Sequence, residues 1–574
     1  MKNYNEDKNE RNYFNVYFCR SDIPQNSFSR PAILLSPRNS SWKNNNNWDK
    51  NSFSWNDFKY RCIYDYKIIE YNEREIEGSL FLGFVSKNSR IEADGQLSPD
   101  IDIIRAEELP KFFTLQGEMQ DYRFLVNKHG IKKSNTILLA LNDLVASKRI
   151  SQRTKFINDA IKTDVFRLAF MRESGRFFAY HNADYILDGL EDESYSRIST
   201  KLSLNYELAG FYEKHSFNMN FDIESILPKR ISVLIGQNGI GKSQALHTIV
   251  TSLTKGDNNF YDSNFGGRPI INRLLAIATP GETTNTFPPE RANKRIKYRR
   301  LILNRNSRSK SSRGFCDLCI QLLRSEESIG SKYRWDLFKE SINFLPNIEN
   351  IVIPLNQDIS VNAPHVFSIR DKIYVPLLKI NHGGEQAKLE IQGAIINNAN
   401  PMLHINGEVF PLSSGQLAFI KFVVQACLFI ENGTLVLLDE PETHLHPNFI
   451  TKFIRTLDQL LKLTGSIAII ATHSAYFVRE VPRTQVLVFK EDSNGHVNIQ
   501  NPRLKTFGAD VGSISYFVFE DEITNALVDD LIDSFQTKIK NKAAYLKDLE
   551  SELSSDILMY LRRKLNIEVT DEGN

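Results

Sequence analysis

The chain holds 574 residues, 41% of them hydrophobic and 24% charged, the composition of a folded protein with more than one domain. Its 71 Lys and Arg against 69 Asp and Glu leave a net charge of +2, too even a balance to mark a binding partner by total charge. No run approaches the ~18 apolar residues of a membrane span, Met1–Glu10 is too polar for a secretory signal, and five cysteines are too few for a disulfide framework, which places the protein in the cytoplasm.

Residues 1–199 read as a mixed region of strands and helices. Ser40–Asp57, with six asparagines and three tryptophans, has the composition of an exposed loop. Strands are predicted at Tyr60–Glu70 and Leu80–Val85, a helix near Thr136–Ser147, and a strand pair at Phe177–His181 and Lys201–Tyr206.

From about residue 200 to 490 strands and helices alternate. Ile231–Ile235 is a short apolar strand, and Ser243–Leu253 is helical. Between them runs Gly236-Gln-Asn238-Gly239-Ile-Gly241-Lys242-Ser243, followed by Gln244. This is the GxxxxGK[ST] pattern, whose glycines let backbone N–H groups turn inward around phosphates at a helix N-terminus. Lys242 would reach the outer phosphates and the Ser243 hydroxyl would bind Mg²⁺.

Arg291–Arg313 contains ten basic residues and no acidic one, leaving 61 against 69 in the rest of the chain. Such a run is ordinarily a solvated face; with Tyr298 interleaved, it is also a candidate contact for DNA or a structured RNA. Cys316 and Cys319 form one CxxC without a second ligand pair, so they read as two ordinary cysteines.

Leu412-Ser413-Ser414-Gly415-Gln416 opens a helical run over Gln416–Ile430, a turn that could be a plain cap or an anion site. Twenty-three residues after Gln416, the unbroken apolar run Thr434–Leu438 ends in Asp439-Glu440-Pro441. Asp439 would hold Mg²⁺ through water and Glu440 would polarise an attacking water. A helix over Phe449–Leu463 and a second apolar strand, Ile467–Ala471, make a β-α-β unit of a buried parallel sheet. Thr472-His473-Ser474 follows, placing a histidine where it can meet a γ-phosphate or the water attacking it. Beyond residue 490 the stripes Leu527, Leu531, Phe535, Ile539 and Leu546, Leu549, Leu553, Ile557 predict two amphipathic helices.

The P-loop, LSSGQ, LLDEP and ATHS in this order resemble the ABC ATPase superfamily, within its RecF, SMC and OLD branch. The resemblance covers about residues 200–490. It implies an α/β fold: an ABC-type P-loop head, a mixed α+β region at 1–199 before it and a helical segment at 491–574 after it. It also implies ATP and Mg²⁺ as ligands. Gly236, Asn238, Gly239, Gly241, Lys242, Ser243 and Gln244 would cradle the nucleotide, with Ser243 and Asp439 on the metal and Glu440 and His473 in catalysis. Ser413, Ser414 and Gly415 would cap the γ-phosphate bound by the opposite protomer, so a homo-oligomer of sandwiched heads is implied. No Q-loop glutamine is evident.

Pro441-Glu-Thr-His444-Leu-His446-Pro447 departs from the D-loop of transporter subunits and resembles OLD- and RecF-like ATPases. Leu227–Gly236 and Phe507-Gly-Ala-Asp510-Val-Gly resemble the ATPase subunits of Septu-type antiviral systems, some of them retron-associated. That resemblance implies a regulator of a separate HNH nuclease. The 101 residues after His473 contain neither a VEG-like glutamate strand nor a DxD, so no fused Toprim nuclease is expected. A DNA-repair or chromosome-maintenance ATPase that clamps DNA is the alternative; a transporter motor fits less well.

Overall fold

The computed structural model describes residues 13–19, 27–37, 62–71, 75–85, 103–151, 153–189, 197–207, 214–278, 286–290, 295–302, 314–325, 327–343, 347–357, 365–396, 399–444, 447–491 and 496–519, with ten isolated positions between 532 and 562. The predicted loop at Ser40–Asp57 and the stripe from Leu527 to Ile539 lie outside the described residues.

Six strands open the chain: β1 (Asn15–Cys19), β2 (Ala32–Pro37), β3 (Ile63–Ile69), β4 (Glu75–Phe84), β5 (Ile103–Arg105) and β6 (Phe112–Gln116). They form one sheet in the order β5-β1-β2-β3-β4-β6. β3 alternates, with Tyr64, Tyr66 and Ile68 buried against Phe18 and Leu35. Helices α1 (Met119–Ala140), α2 (Leu144–Arg149), α3 (Thr154–Ile161) and α4 (Ser174–Asn182) follow.

Two local expectations are corrected here. The helix predicted over Thr136–Ser147 is broken, because the Asp143 carboxylate accepts from the N–H groups of Val145 (2.9 Å) and Ala146 (3.0 Å) and so starts α2 afresh. Phe177–His181 is not a strand but the body of α4. Its aromatic run suits a strand locally, yet Phe178, Ala179 and Asn182 are buried at helical spacing, and tertiary packing overrides propensity.

β7 (Lys201–Glu207), β8 (Lys214–Asn220) and, after the P-loop helix, β10 (Phe260–Asp262) form a three-stranded antiparallel sheet. Next come β9 (Ile231–Gly236), α5 (Lys242–Lys255), β10 (Phe260–Asp262), β11 (Arg273–Ala278) and β12 (Lys297–Ile302). Beyond them lie α6 (Phe315–Arg324), the short hairpin β13 (Ser328–Ile329) and β14 (Lys332–Tyr333), and α7 (Arg334–Ile342). An antiparallel sheet in the order β16-β17-β15-β18-β19 is built from β15 (Ile351–Leu355), β16 (Phe367–Ile369), β17 (Lys372–Pro376), β18 (Met402–Ile405) and β19 (Glu408–Pro411), with α8 (Glu385–Ala394) between β17 and β18. α9 (Ser414–Phe429) leads to β20 (Thr434–Asp439), α10 (Pro447–Leu463), β21 (Ile467–Thr472), α11 (Ala475–Val478), β22 (Val486–Glu491), β23 (Val497–Gln500) and α12 (Val511–Phe519).

The central sheet runs β12-β11-β20-β21-β9-β22-β23, parallel except for β23. Its strands β9, β20 and β21 are buried throughout, which is why they read as unbroken apolar runs. Leu234, Leu435, Leu437, Ile467 and Ile469 pack with α5 and the three-stranded sheet. Val233, Val436, Leu438, Ala468 and Ile470 pack with α6, α7, α9 and α10. Lys297–Ile302, within the basic run, is an edge strand of this sheet, and the sheet extends to Gln500.

The N-terminal region is locked to this sheet by buried charge. Arg123 of α1, fully buried, donates to Glu431 Oε1 (2.9 Å) and Asn432 Oδ1 (2.8 Å) in the turn between α9 and β20. Arg334 donates to the carbonyl of Ile430 (2.6 Å) and lies 3.5 Å from Glu431 Oε2. Burial alone would raise the Glu431 carboxyl, but Arg123, Arg334 and Arg273 more than offset it and lower it to about 2. At the same turn Gly433 has φ +66°, and an added Cβ would sit 2.1 Å from a ring carbon of Phe178 in α4. Farther along, Leu546 packs with Ile532, Leu558 and Leu561, flanked by Leu549, Leu553 and Ile557. Among the described residues, no helix is long and apolar enough to cross a membrane.

Candidate functional site

Parallel register brings the candidate residues to one edge of the sheet. Ile235, the residue before Gly236, lies opposite Thr472; Ala471 lies opposite Asp439; Asp439 lies opposite Ala278. The P-loop, the acidic pair and the switch histidine thus leave the carboxyl ends of three adjacent strands, where ligands of open α/β sheets bind.

At the P-loop, Gly239 (φ +82°) and Gly241 (φ +98°) adopt the left-handed conformation that turns the chain into α5. Gly236 has no room for a side chain, since a Cβ would lie 2.6 Å from the Phe489 carbonyl on β22. Gln237, Asn238 and Gly239 are exposed, as is Gln244, while Lys242 is buried. The Lys242 ammonium donates back to the carbonyls of Gly236 (2.9 Å) and Gln237 (2.8 Å). Burial lowers its pKa, and the nearby carboxylates of Glu440, Asp439 and Glu442 offset that in part. A desolvated cation beside exposed, glycine-shaped backbone at a helix N-terminus fits a polyphosphate.

Asp439 is 4% exposed and receives two hydroxyls: Ser243 Oγ on Oδ1 (3.2 Å) and Thr286 Oγ1 on Oδ2 (2.7 Å). Ser243 and Asp439, predicted together from sequence, are therefore in contact, and this hydroxyl–carboxylate pair suits a hard divalent cation such as Mg²⁺. Thr286 was not found by sequence reasoning. It is buried, and its carbonyl is 3.3 Å from His247 Nδ1 of α5.

Glu440 holds a positive φ of 46°, uncommon for a residue with a side chain, while its N–H donates to the Ala471 carbonyl (2.9 Å). Its Oε1 is 3.5 Å from His473 Nδ1, so the two predicted catalytic residues meet. The same nitrogen is 3.3 Å from Glu442 Oε1.

The structure brings the signature loop to a helix start. Ser413 Oγ accepts from the Gln416 N–H (3.3 Å), and Gln416 Oε1 accepts from the Ser413 N–H (2.9 Å), a reciprocal cap that leaves Ser413 and Ser414 exposed. Among the described residues, no hydrogen bond joins Ser413–Gly415 to the P-loop.

The basic run behaves differently from the expectation of charges without counter-charge. Lys297 pairs with Glu118, and Arg299 pairs with Glu290 (2.9 Å). Arg295 donates to the Lys255 carbonyl, Arg300 to the Phe287 carbonyl (3.2 Å), and Tyr298 to the Pro288 carbonyl (2.9 Å). Positions 291–294 and 303–313 lie outside the described residues. Cys316 and Cys319 are buried in the core beside α9, and burial raises both thiols, Cys316 to about 12.

Residues 406–479, spanning the signature loop, the acidic strand and the switch, match the family described as "AAA domain, putative AbiEii toxin, Type IV TA system". This stretch is similar to an AAA domain. Over 519 residues the chain is 25% identical to Protein ea59 of Escherichia phage lambda, covering 85% of this chain and 90% of that one. Among solved structures, it is similar to cbiO1 of Clostridium perfringens, part of the ABC transporter complex cbiONQ (14% identity, TM-score 0.28, 60% of this chain and 96% of that one). It is also similar to UvrA2 of Deinococcus radiodurans (13%, 0.27, 56% and 40%) and to an Smc head bound to the C-terminal winged-helix domain of ScpA (12%, 0.22, 54% and 98%).

Proposed function

We propose that this chain binds Mg²⁺-ATP and hydrolyses it to ADP and phosphate, in a site completed by the signature loop of a second copy. The observation that carries the reading is the convergence of Lys242, Ser243, Asp439, Glu440 and His473 on one sheet edge. Lys242 leaves its two loop carbonyls for the β- and γ-phosphates. Ser243 and Asp439 hold Mg²⁺, which when bound neutralises phosphate charge. Glu440 orients a water in line with the γ-phosphorus and accepts its proton as the new P–O bond forms and the bond to ADP breaks. The exposed, self-capped helix start at Ser413 supports a γ-phosphate contact made across an interface. Lys242→Ala tests the binding half: losing one charge-assisted phosphate contact lowers ATP affinity about 10- to 100-fold in a titration with a fluorescent ATP analogue. Unchanged affinity would remove the P-loop from the reading.

The finer reading is a regulatory ATPase of a cytoplasmic antiphage complex whose HNH-type nuclease is a separate protein. Its support is the resemblance at Leu227–Gly236 and Phe507–Gly512. The second motif meets the end of α11, the helix after the switch: the Gly508 N–H donates to the Arg479 carbonyl (2.8 Å), and Asp510 accepts from Ser513 at the start of α12 (2.8 Å). Any nucleic-acid contact through the basic run falls to charges other than the four already engaged, such as Arg305, Arg308, Lys310 and Arg313. Native co-purification with mass spectrometry tests this reading. A stoichiometric nuclease supports it; a chain that purifies with DNA and no protein partner points to a DNA clamp.

A further inference from the structure

Glu442 is a nearly buried carboxylate to which the reaction above gives no task. It lies on the short turn Pro441–His444, directly after Glu440, with its side chain 9% exposed. Its Oε1 accepts from the Thr472 hydroxyl and from the His473 N–H (2.9 Å), and lies 3.3 Å from His473 Nδ1. Its Oε2 is buried with no hydrogen-bond partner. Among the described residues, the hydrogen bonds of this carboxylate all go to the switch segment. Thr472 Oγ1 in turn accepts from the Ser474 N–H (3.0 Å), which closes the turn around the histidine.

Two carboxylates face one ring nitrogen, Glu442 at 3.3 Å and Glu440 at 3.5 Å. An ionised carboxylate only accepts, so Nδ1 must carry the hydrogen for either contact to be attractive. In the neutral ring Nε2 is then the acceptor nitrogen. Of the two carboxylates, Glu442 is also held by Thr472 and the His473 backbone, so it is the better anchored.

We propose that Glu442 is a positioning residue: it holds Nδ1–H of His473, fixes the ring's tautomer and keeps the imidazole from tying up Glu440. His473 then presents Nε2 as an acceptor to the attacking water rather than as a donor to the γ-phosphate, and the Glu440 carboxylate stays available to orient that water. This rests on the hydrolytic reading above for the roles of Glu440 and His473. Without Glu442, the Nδ1–H turns to Glu440 and occupies the group that should hold the water.

The test combines kinetics with a spectrum that needs no turnover. Glu442→Ala should lower kcat about 10- to 100-fold, as loss of an outer-shell partner does, with KM within about twofold. Glu442→Gln keeps an oxygen for the three donors and should recover most of kcat. In a His473→Ala background, Glu442→Ala should cost nothing further. Binding of a fluorescent ATP analogue shows that each variant is folded. In ¹⁵N-histidine-labelled protein, the resonances lost in His473→Gln should report Nδ1 protonated and Nε2 bare, and Glu442→Ala should mix the tautomers. Equal costs in both backgrounds, a rise in KM with kcat unchanged, or a protonated Nε2 in the wild type would each overturn the proposal. A wild type that hydrolyses nothing defeats the hydrolytic reading instead, and the histidine spectrum alone then decides the role of Glu442.

Discussion

At the residue scale, the proposed chemistry gathers on Asp439, whose two oxygens accept from Ser243 and Thr286. Thr286 has one apparent job, which is to hold Oδ2 so that Oδ1 faces Ser243. Thr286→Val keeps the shape and removes that hydrogen bond to a charged group, worth about 1.5–3 kcal/mol. The expected outcome is a fall of about tenfold or more in phosphate release, measured at saturating ATP, together with a higher Mg²⁺ requirement. Ser243, Asp439, Glu440 and His473 were legible in sequence because each occupies a fixed place in a motif. Thr286 was not, since a lone threonine carries no pattern. Its place emerges from the fold, where Ala278 pairs with Asp439 and Thr286 donates to the same carboxylate. Glu442 stood in plain view within the EPETHLHP run, but its role depends on contacts to Thr472 and His473, which lie 30 and 31 residues away in sequence.

At the element scale, α9 links the signature serines at its start to the Glu431 turn and β20 at its end. If Ser413 serves a phosphate held by another copy, lesions in different chains should complement one another. Mixing Lys242→Ala with Ser413→Arg should then give ATPase activity above that of either parent, because a heterodimer retains one intact composite site. No recovery on mixing, with heterodimers shown to form, would place the whole site in one chain. The central strands were readable because burial on both faces makes them continuous apolar runs. β12 was hidden: Lys297–Arg300 is too basic to resemble a sheet strand, and it is accommodated at an edge, where Glu118 and Glu290 supply the opposing charge. α4 was misread for the opposite reason, its aromatic composition suiting a strand that tertiary packing does not form.

At the scale of the whole molecule, the N-terminal region and the turn before β20 meet through Arg123, Glu431 and Arg334. Arg123→Leu leaves Glu431 buried with one cation fewer, a change that costs about 3–5 kcal/mol when a buried pair is broken and less here because Arg334 remains. Denaturant unfolding should show the loss above the ordinary carboxylate range and not in strong acid. The sign follows from the lowered folded-state pKa of Glu431: its contribution is present above the unfolded value of about 4.5 and is lost as pH falls toward about 2. The same turn reaches β20 and therefore Asp439, so this seam is the physical route by which the N-terminal region could bias the site. The central claim is narrower, that Glu440 drives hydrolysis of ATP held by the P-loop. Its most direct test is a single-turnover measurement of phosphate release from Mg²⁺-ATP by wild type and Glu440→Gln, with the retained nucleotide identified. The variant should hold ATP unhydrolysed, with release slowed about 100- to 10,000-fold, as for loss of a general base. Release at the wild-type rate would contradict the account.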